Sequence, residues 1–83
     1  MLVDGNKVFH CYATHGVPLY FGLMALEGKK INWREYIDSA RENGWSDHRI
    51  LAVMTEGLRD ADWPDADKIL ELSKLYMLRY ANG

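Results

Sequence analysis

The chain has 83 residues, 48% hydrophobic and 27% charged, which leaves room for one small globular domain and is too apolar for a disordered one. A single cysteine forbids an internal disulfide and excludes a stapled secreted scaffold. Ten basic residues against twelve acidic ones give a net charge of −2 and a pI near 5.8, without the clustered basic face of most nucleic-acid modules. Met1–Lys7 shows no basic start leading into an apolar stretch, so no signal peptide is expected. The run Val17–Leu26 is about half of a membrane span. The expectation is a cytoplasmic, all-α protein, one domain over residues 1–83, folded as a compact bundle of about five short helices and in contact with no membrane.

Gly and Pro punctuate a helical periodicity. Asp4 is placed to cap a first helix over Lys7–Thr14 that ends at Gly16, with Val8, Phe9 and Tyr12 at helical spacing. A short strand at Val8–Tyr12 is the alternative, because Val, Phe and Tyr favour strands. Pro18 suits the first turn of a second helix, where Leu19, Leu23 and Leu26 form a stripe beside Tyr20 and Met24 and Gly28 ends it. Gly22, mid-helix, is a place where another element can approach closely. Asn32-Trp33-Arg34-Glu35 reads as a capping box opening a third helix. Trp33, Tyr36, Ile37 and Ala40 share one face of that helix, Gly44 stops it, and Trp45 folds back on its last turn. Ser46 caps a fourth helix with Ile50, Leu51, Met54 and Leu58 inward, and Pro64 starts a fifth that runs to about Tyr80.

The fifth helix is apolar almost all round: Ile69, Leu70, Leu72, Leu75, Tyr76, Met77, Leu78 and Tyr80 leave only Glu71, Ser73, Lys74 and Arg79 as breaks. Such a helix is normally buried on most sides. It is either the centre of the bundle or a surface that meets a partner or a second copy.

Chemical motifs are sparse. Cys11 and His15 share a helix face at ligand spacing, with His48 as a distant third, but no second Cys/His pair completes a zinc set and no metal or other cofactor is expected. A calcium loop begun at Asp60 would put Pro64 at a ligand position and Asp65 where the turn needs Gly; the acids from Glu56 to Asp67 read instead as caps and a solvated corner. No nucleophile elbow and no Gly-rich phosphate loop is present, so no enzyme is expected. Lys29, Lys30 and Arg34 with Trp33 and Tyr36 are the one basic cluster interleaved with rings, although both rings fit the core stripe better.

Gly5-Asn-Lys-Val-Phe9-His-Cys-Tyr12-Ala-Thr14-His-Gly16-Val-Pro18-Leu19 resembles a segment of alanyl-tRNA synthetase. In that family the pattern is Gly, three residues, then Phe-x-Leu-Tyr-Asp-Thr-Tyr-Gly-Phe-Pro-Leu-Asp-Leu-Thr. Phe9, Tyr12, Thr14, Gly16, Pro18 and Leu19 fall in register. Beyond a helix about two residues shorter, Ile31-Asn32 and Tyr36 echo the family's Val-Asp and Phe. Ala13, Val17, Tyr20 and Gly22 stand where the family has Asp, Phe, Asp and Thr. The resemblance covers residues 5–40 and implies short helices from a tRNA-recognition region, with no aminoacylation motif. Thr14–Leu19 and then Trp33–Trp45 are also similar to the outline of small bacteriophage-encoded proteins.

Together these features point to a non-enzymatic helical binding protein, phage- or prophage-encoded, that occupies a surface of a host macromolecule, with inhibition of a host defence or nucleic-acid enzyme as the subtype. The expected contacts are Tyr76, Met77, Arg79 and Tyr80, residue types typical of interface anchors, and Trp63 at an exposed corner beside Pro64. The alternatives are an RNA-binding module using Lys29, Lys30 and Arg34, with Arg41 and Arg49 in support, and a homo-oligomer paired through the last helix.

Overall fold

Asp4 opens the first helix. In a computed structural model that describes residues 2–15, 19–26 and 29–80, its Oδ1 accepts the Asn6 N–H at 3.0 Å and its carbonyl accepts those of Lys7 and Val8. These bonds satisfy donors that a helix start leaves orphaned. Helix α1 (Gly5–His15) therefore begins two residues before the expected start. After it come α2 (Leu19–Ala25), α3 (Trp33–Glu42), α4 (Asp47–Asp60) and α5 (Ala66–Arg79), the all-α bundle that the periodicity implies. Gly16, Pro18 and Gly28, assigned to helix ends from sequence, lie outside the described residues.

The strand alternative at Val8–Tyr12 is not adopted. A strand forms instead where none was expected: β1 (Leu2–Val3) pairs in parallel with β2 (Lys30–Ile31), and the Asn32 N–H extends the ladder to the Val3 carbonyl at 2.9 Å. That bond takes the donor on which the capping box was to close. Asn32 Oδ1 still accepts the Glu35 N–H at 3.4 Å, but Glu35 turns away and accepts the Gly5 N–H at 3.3 Å. One carboxylate thus sits where the positive ends of α1 and α3 converge.

The convergence is tight. A Cβ on Gly5 would stand 1.9 Å from the Asn32 carbonyl oxygen and 2.7 Å from the Tyr36 nitrogen, so only glycine lets the two backbones cross here. The close approach expected at Gly22 is not made by any described residue, none of which lies within 4 Å of its would-be Cβ. Further along the same helix pair, the buried Ser39 hydroxyl donates to the Asn6 side-chain carbonyl.

Two helices end in the same way. Gly44, at φ +83°, donates to the Arg41 carbonyl while Trp45 donates to that of Ala40, the paired closure of a Schellman motif. At the end of α4, Asp62 at φ +50° donates to Arg59 and Trp63 to Leu58. Each motif turns a tryptophan back over its own helix. Trp63 is consequently 8% exposed and part of the core, not at an exposed corner. The next helix starts two residues after Pro64, behind Asp65 at φ +60°.

Phe9 anchors the core, meeting Tyr36 and Trp45 edge-on at 5.5 and 5.3 Å between ring centres. Leu23, Ile37, Ile50, Met54 and Leu58 complete the sealed interior. The radius of gyration, 11.7 Å, is what a folded chain of this length has, about 12 Å. α5 is not the central helix. It lies against α3 and α4 and buries only Ser73 and Met77 completely.

Candidate functional site

The outer position of α5 leaves a concavity between it and α3. Ile69, Leu72, Leu75, Tyr76, Arg79 and Tyr80 form one wall, and Ile31, Trp33, Arg34 and Ile37 form the other. Leu2 of β1 closes one end, and the groove encloses about 660 Å³. Leu72, Leu75 and Leu78 are 56, 57 and 76% exposed. Single exposed leucines need no explanation, but these three follow one another at three-residue steps beside the groove.

Hydrogen bonding fixes the polar side chains of the α5 wall. The Tyr76 phenol donates to Asp38 Oδ1 at 2.7 Å, and that bond, with some burial, raises its pKa above the ordinary tyrosine value. Its ring leans on Tyr80 at 4.9 Å between centres and carries the Arg34 guanidinium at 5.7 Å, within cation–π reach. Arg79 lies over Tyr80 at 5.9 Å. Ser73, also in the wall, spends its hydroxyl on the Ile69 carbonyl at 2.8 Å. The arrangement offers guanidiniums, phenols and aliphatic surface.

The structure brings Tyr76, Arg79 and Tyr80 together with Arg34, which the sequence alone places in a separate, nucleic-acid set. Met77 is 4% exposed and faces inward, so neither it nor Trp63 is available for contact. Lys29 and Lys30 are exposed at the approach to α3. The aromatic partners expected for them are committed elsewhere, Tyr36 fully buried and Trp33 half-buried with its ring edge-on to Tyr36 at 5.3 Å. Arg41 is engaged by Asp47, and Arg49 is stacked over Trp45 at 3.8 Å.

Leu72 and Leu75 line the groove and were not singled out from the sequence. The signal was there: Lys68, Leu72, Leu75 and Arg79 recur at intervals of four, three and four, one stripe of a helix. A second groove of about 360 Å³, lined by carbon and flanked by Cys11 and Gly22, separates α1 from α2. Phe21 and Met24 are exposed on α2. Cys11 is an exposed free thiol. His10 and His48 are exposed, and the His15 side chain is outside the described part. Among the described residues no three His, Cys, Asp or Glu side chains converge as a metal site would require, and no helix is long and apolar enough to cross a membrane. No protein family, curated protein or solved structure matches the chain.

Proposed function

We propose that the chain is a small non-enzymatic binding protein, of the kind bacteriophages encode, that occupies a surface of a host macromolecule through the α3–α5 groove. The observation that carries this reading is the row of exposed Leu72, Leu75 and Tyr80 beside two guanidiniums. Covering roughly 100 Å² of each leucine would contribute a few kcal/mol to association, and Tyr and Arg at the edge are common anchors.

Affinity capture from a bacterial lysate tests the reading, run with and without nuclease and in parallel with a Leu75→Glu variant. The expected result is a stoichiometric protein that survives nuclease and is lost from the variant. A protein retained equally by the variant, or RNA that nuclease removes, would contradict it. RNA held through Lys29 and Lys30 would instead favour the tRNA-related module that the synthetase resemblance implies.

A further inference from the structure

We propose, resting on the reading of the α3–α5 groove as a docking surface, that its occupant is an acidic amphipathic helix of the partner protein. Charge is the first reason. The chain carries a net charge of −2, yet among the described residues the groove is lined by Arg34 and Arg79 and by no carboxylate. The ion pair formed among the described residues joins Arg41 to Asp47, so neither groove arginine is neutralised by a described carboxylate. Asp38, the acid reached by the Tyr76 phenol, lies outside the lining of the groove. Arginine on such a rim lays its aliphatic stem along apolar surface and presents a fork that fits a carboxylate.

Shape is the second reason. Lys68, Leu72, Leu75 and Arg79 form a stripe with aliphatic residues in the middle and a cation at each end. This is one half of a helix-in-groove contact, in which a partner inserts apolar residues every three or four positions. α5 has 14 residues, about 21 Å of axis, so a partner helix of about 14 residues matches it in length.

The competing occupants fit less well. A second copy docked about a two-fold axis would set cation against cation, Lys68 of one copy meeting Arg79 of the other where the two α5 helices run antiparallel. A nucleic acid would use the cations but gain little from Leu72 and Leu75, since it binds through phosphate charge and base stacking.

The test uses two fluorescein-labelled synthetic helices of about 14 residues, with identical leucine spacing. One carries glutamate on its polar face and the other lysine, and each is titrated against the whole protein by anisotropy. The glutamate helix is expected to bind about fourfold more tightly at low salt, since two exposed guanidinium–carboxylate pairs are each worth a factor of about two. The preference should shrink as salt is added, and the double variant Arg34→Glu, Arg79→Glu should reverse it. Leu75→Glu, at an exposed position that leaves the fold intact, should weaken both helices. Equal affinity for the two helices, preference for lysine, or no binding of the glutamate helix would overturn the acidic-partner inference. Equal affinity that Leu75→Glu still abolishes would leave the groove as a docking surface. Loss of both would require, in addition, that lysate capture be indifferent to Leu75→Glu.

Discussion

Arg41 holds Asp47 through two parallel hydrogen bonds, Nε to Oδ1 at 2.9 Å and Nη2 to Oδ2 at 3.0 Å. The same guanidinium donates to the carbonyls of Met77 and Tyr80 at 3.2 and 2.9 Å. One side chain therefore joins the end of α3, the start of α4 and the last turn of α5, where the helix leaves its carbonyls unpaired. That last turn carries Arg79 and precedes Tyr80, so this clamp sets one end of the groove. Arg41→Met should lower stability by about 1–2 kcal/mol, because the charged bonds and both helix-end acceptors are lost. Asp47→Asn should cost only about 0.5 kcal/mol, since Asp47 is 44% exposed and its attraction is screened. Urea unfolding of the two variants checks the order; equal losses would mean that the α5 carbonyls contribute nothing.

Gly5 is the least replaceable residue of the fold. Gly5→Ala places a methyl group into the Asn32 carbonyl and the backbone of Tyr36, rigid atoms that cannot swing aside. A loss of about 3 kcal/mol or more is expected. A variant melting within a few degrees of the wild type would show that α1 can slide off α3 at little cost.

Trp63 and Leu75 should separate folding from binding. Trp63→Ala empties a core position, 8% exposed, and should cost about 3–5 kcal/mol. Leu75→Glu changes a residue 57% exposed and should alter stability by no more than about 0.5 kcal/mol while removing partner capture. Circular dichroism melts and capture performed on the same preparations check both expectations.

Much of the helical framework was legible because its signals are local. Asn32 and Ser46 announce helix starts by residue type alone, and both side chains do accept first-turn N–H groups. Gly44-Trp45 likewise announces a stop. The matching stop at Asp62-Trp63 was hidden, because an aspartate in the left-handed region lacks the glycine that marks such a turn, and the neighbouring Pro64 suggested an exposed corner. Glu35 was legible as a capping residue, but the donor it accepts belongs to Gly5, thirty positions away, since β-pairing had already taken the Asn32 N–H. The groove was half legible. The surplus of apolar residues on α5 left open whether the helix would be central or partly uncovered, and only the packing of α5 on α3 decides this and brings Arg34 to Tyr76.

Tyr36 links the core to pH. Its hydroxyl is buried without a hydrogen-bond partner among the described residues, and burial, with the nearby Tyr12, raises its pKa well above the ordinary tyrosine value. An unsatisfied buried hydroxyl costs about 1 kcal/mol or more, so Tyr36→Phe should stabilise the fold at neutral pH by about that amount. The unfolded chain releases the Tyr36 proton near pH 10 while the folded one retains it. This group's contribution is therefore full below about pH 10 and declines above it, at up to about 1.4 kcal/mol per pH unit. Tyr36→Phe should flatten that part of the decline in urea midpoints measured between neutral and alkaline pH. An unchanged alkaline slope would show that the phenolate is as well solvated in the fold as in the unfolded chain.

Backbone amide shifts of the isotope-labelled protein, recorded with and without the partner retained in the capture experiment, locate the binding face directly. The groove predicts changes concentrated in residues 33–37 and 69–80, with α1 and α2 nearly silent. Changes centred on the exposed Phe21 and Met24 of α2, or on the acidic corner between Glu56 and Asp67, would contradict the assignment of function to the α3–α5 groove.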